Sequence, residues 1–230
     1  MFQIDIKDLR ALRQIENYNL VLESNFDTKN INTKALERTC SFLNMTKEEL
    51  LSKASKDKEF QKLFAMMLAK NSSRQGTRDE SLIVNGVSRE MKRHGINIRN
   101  YTTNEKVPIR ESSDVLPRVQ AKRRFDTDLL MKSFDFGGQV CDNRRIEGFA
   151  KVCIGAGGHQ DNVYHEASEF LKWASEYGSE TTVYTVLMDT DQDKIFNNLK
   201  ELENKLGKQN LWVVNHRQLQ ERLVSLKNEN

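Results

Sequence analysis

The sequence contains little proline and cysteine, and it has no long apolar run. Its 230 residues include 2 prolines and 3 cysteines. No apolar run reaches the roughly 20 residues that a membrane-spanning helix needs, so we expect no membrane partner. Cys40, Cys141 and Cys153 have unrelated spacings, which fit neither a disulfide framework nor a zinc pattern. The first residues also lack the pattern of a secretory signal, and we therefore expect a reduced, cytoplasmic protein.

Charge of one sign is also scarce. The 36 lysines and arginines nearly balance the 33 aspartates and glutamates, and the formal net charge is +3. Total charge therefore does not indicate a nucleic-acid partner, and any such signal must be local. The hydrophobic share of 37% is ordinary for a globular protein.

Residues 1–72 have the pattern of helices alone. Thr46 and Glu49 have the spacing of a capping box, which predicts a helix start. Apolar residues then recur at helical spacing and predict an apolar face; they are Phe60, Leu63, Phe64, Met67 and Leu68. We expect a helical N-terminal region over residues 1–72, which serves recognition, dimerisation or packing.

From residue 73 to 230 helical and strand patterns alternate. A second capping-box spacing, Thr77 to Glu80, predicts a helix that ends near His94 and Gly95. The pattern then predicts strands over 96–101, 129–136, 148–154, 181–188 and 211–214, helices over 163–177 and 195–206, and a last helix capped by Asn215. Residues 104–124 hold both prolines and predict a long loop. We expect an α/β (α+β) fold with a central mixed β-sheet flanked by helices.

Lys151 interrupts the apolar strand-like run EGFAKV at 147–152. Desolvating an ammonium group is costly unless the group is paired. Alternation places Lys151 on one strand face with Phe149 and Glu147. Asp135 stands in the preceding apolar segment, so adjacent strands would bring the two charges to one site. The alternatives are a strand-end lysine that reaches water and an aspartate that closes a turn.

Two glutamates on predicted helices complete the candidate set. Glu80 shares a helical stripe with Ile83, Val84 and Val87, which predicts an inward side chain; as part of a capping box it would bond only backbone. Glu166 lies at the edge of the apolar face of the next helix, and its alternative is a solvated glutamate.

Carboxylates that converge with one lysine have a well-known chemistry. Carboxylate oxygens suit Mg²⁺, with Mn²⁺ as an alternative, and Mg²⁺ is usually bound together with phosphate oxygens. Such an ion lowers the pKa of a bound water, while a lysine orients that water or neutralises developing charge. Asp135, Glu166 and Glu80 are the expected metal ligands and, with Lys151, the expected catalytic residues. The arrangement predicts hydrolysis of a phosphodiester.

These residues resemble the PD-(D/E)XK nuclease superfamily, and within it the type II restriction endonucleases. The family core is an αβββαβ unit, which is the predicted order of elements over residues 77–190. The stretch from Arg74 through Gly76 to Glu80 looks like the start of the family's first helix. Asp135 matches its metal-binding aspartate, and Lys151 matches its lysine.

One position departs from the family pattern. The family has an acid two residues before the lysine, where this sequence has Phe149. Some restriction enzymes of this superfamily carry the second acid on the following helix, which would be Glu166. Glu147 is the other candidate for that role.

The resemblance implies a Mg²⁺-dependent endonuclease that cuts double-stranded DNA at a short specific site. A homodimer is expected because palindromic sites match two-fold symmetric proteins. The alternatives are a repair or recombination nuclease such as a junction resolvase, and a non-catalytic DNA-binding or protein-binding module.

Basic and polar residues in two loops and at one helix start are the expected DNA contacts. The 104–124 segment is locally basic, and lysines and arginines neutralise phosphates; its alternative is an ordinary solvated loop. A glycine-rich turn near 157–162 is expected to form the mouth of the site. The expected DNA-binding residues are Arg74, Gln75, Arg118, Lys122, Arg123, Arg124, His159 and Gln160.

Overall fold

The structure, a computed structural model, describes residues 1–69, 76–153, 160–191 and 193–229. The chain divides into two compact units. The smaller unit comprises Lys7–Gln75, and the larger comprises Met1–Ile6 with Gly76–Asn230. The first six residues, which the sequence pattern assigned to the helical region, therefore belong to the larger unit.

The smaller unit consists of helices. They are α1 (Ile6–Glu23), α2 (Thr33–Leu43), α3 (Lys47–Lys56) and α4 (Lys58–Leu68). The predicted capping box is confirmed, because the Thr46 side chain accepts a hydrogen bond from Glu49 N and the Glu49 carboxylate accepts one from Thr46 N. Such caps satisfy amide groups that a helix start leaves without partners.

Only part of the predicted apolar face of α4 is buried in the core of the smaller unit. Phe64 and Leu68 are buried with Val21 and Leu50. By contrast, Leu63 is 61% exposed and Met67 is 57% exposed. The apolar stripe at 60, 63, 64, 67 and 68 is therefore wider than the part of α4 that is buried.

The larger unit contains a five-stranded mixed sheet in the order β1-β4-β5-β6-β7. Its strands are β1 (Asn97–Asn100), β4 (Phe136–Cys141), β5 (Arg144–Cys153), β6 (Thr182–Thr190) and β7 (Leu211–Val214). Strands β1, β4 and β5 pair antiparallel, while β5, β6 and β7 pair parallel. A separate two-stranded sheet joins β2 (Val107–Pro108) and β3 (Val115–Leu116).

Helices cover both faces of the five-stranded sheet. Tyr184, Val186 and Met188 alternate along β6 and pack in one apolar cluster with residues of α7 (Gln160–Tyr177) and α8 (Asp193–Leu206). On the opposite face, Asp189 contacts His216 at the start of α9 (His216–Asn228). Helix α5 (Gly76–Arg93) contacts β1, β5 and α9. This layering confirms the predicted mixed α/β class.

Most predicted elements of this unit are present, and the last helix is capped by Asn215 as predicted. The predicted strand over 129–136 was wrong: Thr127–Leu129 is a 3₁₀ turn, and β4 begins only at Phe136. The backbone in between bonds to the β2 segment, since Met131 N donates to Pro108 O and Phe134 N donates to Lys106 O. The prediction of a long loop over 104–124 was also wrong, because this segment contains β2, β3 and α6 (Arg118–Arg124). Among the described residues, no helix has the length and apolarity to cross a membrane.

Gly138 tests the packing of the sheet. A Cβ at Gly138 would collide with the backbone carbonyl of Asn97 on β1. The atoms that this Cβ would meet belong to backbone and not to a flexible side chain. We therefore expect Gly138→Ala to lower the free energy of unfolding, measured by urea denaturation, by about 3 kcal/mol. Gly207→Ala is the control: Gly207 has a φ of +64° and open space around it, so its loss should be about 1 kcal/mol, from backbone strain alone. Equal losses in the two variants would contradict the assigned strand pairing.

Candidate functional site

The site is built around a buried ion pair at the end of β5. Lys151 Nζ donates a hydrogen bond to Glu80 Oε1 over 3.1 Å. The two side chains are 12% and 11% exposed. The sequence patterns had predicted both groups, on β5 and α5 respectively, but not their direct contact. Since Glu80 pairs with Lys151 and α5 already begins at Gly76, the alternative role of Glu80 as a capping-box residue loses its basis.

Asp135 lies immediately before β4 and is held by three hydrogen bonds. Its amide donates to Gly148 O on β5, and its carbonyl accepts from Tyr101 N. Its side-chain Oδ2 accepts from Ala150 N over 2.9 Å. The carboxylate is therefore fixed against the residue next to Lys151, although Asp135 is outside the strand in which the sequence pattern had placed it.

Phe149 and a second lysine lie beside this pair. The Lys151 ammonium lies 4.8 Å from the centre of the Phe149 ring, and the Lys132 ammonium lies 4.4 Å from the same ring. A ring face attracts cations at such distances. Phe149 itself is 2% exposed and stacks on Phe170 of α7. The residue that replaces the expected acid is thus a core residue that contacts both ammonium groups.

Glu166 joins the site through Lys132. Its Oε2 accepts from Lys132 Nζ over 3.1 Å. This pair is more exposed than the first, with 38% of Lys132 and 42% of Glu166 accessible. The site therefore contains an inner ion pair, Lys151–Glu80, and an outer ion pair, Lys132–Glu166.

The charges of the site act on one another. Burial raises the pKa of Glu80, and the nearby Asp135 carboxylate raises it further, while Lys151 opposes both. Burial also raises the pKa of Asp135. Burial disfavours the charged form of Lys151, but the carboxylates around it outweigh that effect and raise its pKa. Lys132 has a lowered pKa because of burial and of the neighbouring Lys151.

Glu147 belongs to a different cluster. It lies on the same face of β5 as Phe149 and Lys151, but it is buried next to the Tyr101 hydroxyl and lies 3.7 Å from Arg145 Nη2. Burial raises the pKa of its carboxyl. Of the two acids that could replace the one missing at position 149, Glu166 is the one that contacts a lysine of the site, Lys132.

The predicted DNA-binding residues fall into two groups. Lys122, Arg123 and Arg124 are exposed on α6, whereas Arg118 is half-buried and donates to Asn104 Oδ1. The second group is mostly undescribed: Arg74, Gln75 and His159 lie outside the described residues, and Gln160 is described only as the first residue of α7.

The carboxylates of the site have the chemistry of magnesium ligands. Asp135, Glu80 and Glu166 offer hard oxygen donors, and an ordered backbone fixes the first of them. As the side chains stand, no group of three His, Cys, Asp or Glu among the described residues is arranged to hold a metal ion. Ammonium groups pair with Glu80 and Glu166 instead. The donor chemistry of these carboxylates suits a divalent ion, while lysines occupy two of the three.

The sequence pattern missed Lys132 and the role of Phe149. Lys132 lies three residues before Asp135, in a segment that the pattern assigned to a strand. Only the irregular path of residues 130–135 brings its side chain to Phe149. Because Lys132 and Glu166 are far apart in the sequence, no local pattern indicates their contact.

Comparisons with known proteins place no relative beside this chain. No family model, no curated protein and no solved structure matches it.

The inner ion pair predicts a pH-dependent loss of stability. In Lys151→Met the buried Glu80 carboxylate loses its counter-charge, and we expect a loss of about 3 kcal/mol at neutral pH. The ordinary pKa of Glu80 is 4.5, and burial raises it in the folded state. A raised carboxyl pKa favours the folded state at low pH, and this stabilisation is lost as pH rises towards neutral. The loss should therefore shrink at mildly acidic pH, where Glu80 binds a proton.

Urea denaturation at both pH values measures this effect. The control is the double variant Lys151→Met with Glu80→Gln, which has no buried charge at these two positions. It should be more stable than Lys151→Met at neutral pH and should depend less on pH. A loss in Lys151→Met that is independent of pH would contradict the assigned pairing.

Proposed function

We propose that this protein is a Mg²⁺-dependent endonuclease of the PD-(D/E)XK type that hydrolyses double-stranded DNA. The observation that carries the proposal is the group formed by Asp135, Lys151 and Glu80. Asp135, directly before β4, accepts a hydrogen bond from the backbone next to Lys151 of β5, and Glu80 of α5 accepts one from Lys151. The order α5, β1, β4, β5, α7 and β6 in the main sheet and its helices agrees with the αβββαβ core of that superfamily.

Each residue of the site has a role that its environment supports. Asp135 and Glu166, with Glu80, would hold the metal ion. The ion when bound supplies Lewis-acid stabilisation of charge and a water of lowered pKa. The Lys151 ammonium, held by Glu80, orients the attacking water and neutralises charge that develops on the phosphate oxygens.

The reaction is a displacement at phosphorus. The oxygen of a water molecule forms a bond to the phosphorus atom, and one ester P–O bond breaks. The attacking water loses a proton and the leaving oxygen takes one up, so the proton count is balanced. The additional negative charge exists only near the transition state, and the raised pKa of Lys151 keeps its ammonium charged to meet it.

A basic helix supports DNA as the substrate. Helix α6 has the sequence RVQAKRR, and Lys122, Arg123 and Arg124 are exposed on it. Exposed cations near one another bind phosphates and release counterions. We infer a type II restriction endonuclease that acts as a homodimer, because a two-fold symmetric protein matches a palindromic site.

Asp135→Asn tests the nuclease activity. Asparagine keeps an oxygen that can accept the bond from Ala150 N, so the variant should fold. It loses the charge of a metal ligand, and we expect cleavage of plasmid DNA with Mg²⁺ to fall by at least about 100-fold. Asp142→Asn, in the exposed turn between β4 and β5, is the matched control and should cleave like the parent. Full activity of a folded Asp135→Asn would exclude the proposed site, and digestion limited to branched DNA would favour a junction resolvase.

Replacing Lys122, Arg123 and Arg124 together by alanine tests the DNA surface. Each phosphate contact that is lost should reduce the slope of log affinity against log salt by about 0.9. Binding of a DNA duplex, measured by fluorescence anisotropy across a salt series, should therefore weaken for every sequence. The control removes the same charge from Lys194, Lys205 and Lys208, which are exposed on and just after α8. Equal effects of the two triple variants would argue against α6 as the DNA contact.

A further inference from the structure

Lys132, the cation of the outer ion pair, has no role in the reaction as described so far. Lys132 pairs with Glu166 at 3.1 Å, and the sequence pattern had assigned Lys132 nothing. Its ammonium is also near the inner lysine, since both contact the Phe149 ring, at 4.4 and 4.8 Å. The site therefore holds two cations where the reaction above uses one.

The two lysines differ in how freely they can move. Lys151 is 12% exposed and bonded to a glutamate that is 11% exposed. Lys132 is 38% exposed and its partner is 42% exposed. A half-exposed ion pair is weak because water screens it. Lys132 also meets repulsion from Lys151, so it is the cation that can leave its carboxylate at small cost.

A divalent ion on Glu166 would displace Lys132. Magnesium binds carboxylate oxygens at about 2.1 Å, and the Lys132 ammonium now lies 3.1 Å from Glu166 Oε2. If the metal ion and the Lys132 ammonium were both at Glu166, two positive charges would lie within about 5 Å of each other, the range over which charges strongly affect one another. The metal and Lys132 thus compete for Glu166.

We propose that Lys132 is a second catalytic lysine, which neutralises Glu166 in the metal-free site and moves to the scissile phosphate when a divalent ion binds Glu166. This inference rests on the proposed nuclease function. The released ammonium lies at the more exposed side of the site, where a bound DNA strand would present its phosphate.

Phe149 gives this exchange its physical basis. A carboxylate at position 149 would be a strong partner for the nearby ammonium groups, whereas an aromatic ring attracts them without a formal charge. The ring therefore keeps Lys132 at the site but leaves it able to exchange partners. Glu166 of α7 would supply the acid that the family pattern has at this position. Without a metal ion, this carboxylate is paired with Lys132.

In the reaction, Lys132 acts only as a charge. Water oxygen bonds to phosphorus, the ester P–O bond breaks, and the proton lost by water is matched by the proton gained by the leaving oxygen. Lys132 keeps its own protons throughout and neutralises the extra negative charge on the phosphate oxygens near the transition state. The effect should appear in kcat more than in KM.

The test compares metal binding with cleavage in Lys132→Ala, Lys132→Arg and a control. The control is Lys172→Ala, an exposed lysine on α7. Calorimetric titration with Mn²⁺, without DNA, should show about 10-fold tighter binding for Lys132→Ala, because a competing cation is gone. The kcat for cleavage at saturating Mn²⁺ should nevertheless fall about 100-fold. Lys132→Arg keeps the charge and should retain much of the activity, and the control should match the parent in both measurements.

A second background shows whether the competition is for Glu166. In Glu166→Gln protein, Lys132→Ala should no longer tighten Mn²⁺ binding, since the shared carboxylate is absent. Thermal melts of every variant establish that the proteins are folded, and Lys132→Gln, which also removes the charge, replaces Lys132→Ala if the alanine variant is not.

The outcomes separate this proposal from the proposed function. Unchanged Mn²⁺ affinity in Lys132→Ala would overturn the exchange. Tighter Mn²⁺ binding with undiminished kcat would overturn the catalytic role while the nuclease function stands. A parent protein that binds Mn²⁺ but cuts no DNA would overturn the nuclease function and the catalytic role together.

Discussion

A lysine ammonium buried at the end of a central strand is the constraint on which the site depends. Desolvating that charge is costly unless a counter-charge lies close by. Glu80 supplies it over 3.1 Å, with Asp135 near enough to add to the field. Lys151 comes from β5, Glu80 from α5 and Asp135 from the residue before β4. These three charges therefore bring three elements together at one end of the sheet. Both carboxyls have a raised pKa as the consequence of this burial.

Phe149 changes the balance of charge at this end of the sheet. An acid there would add an anion next to Lys151, but the ring instead packs in the core and contacts two ammonium groups. Beside that ring, Lys132 pairs with Glu166 of α7. The carboxylates and lysines thus form an inner, buried pair and an outer, half-exposed pair. The outer pair is the more accessible of the two.

Much of the fold could be predicted from the sequence because its patterns are local. The strand at 182–190 contains a mostly apolar run over 183–188, and Asn215 and Thr46 cap helices within their own turn. The errors lie where tertiary contacts override local patterns. Residues 130–135 look like a strand but bond to the β2 segment. At Gly138 the absence of a side chain lets β1 and β4 approach closely.

For the candidate site, the sequence alone determined which charged residue types stand in apolar surroundings. A lysine in an apolar strand, an aspartate before the neighbouring strand and a glutamate on an apolar helical stripe each conflict with burial unless they are paired, and this conflict is visible in one dimension. Which charge pairs with which depends on distances between segments far apart in the chain. The tertiary structure therefore decided that Glu80 holds Lys151, that Glu147 belongs to Tyr101 and Arg145, and that Lys132 holds Glu166.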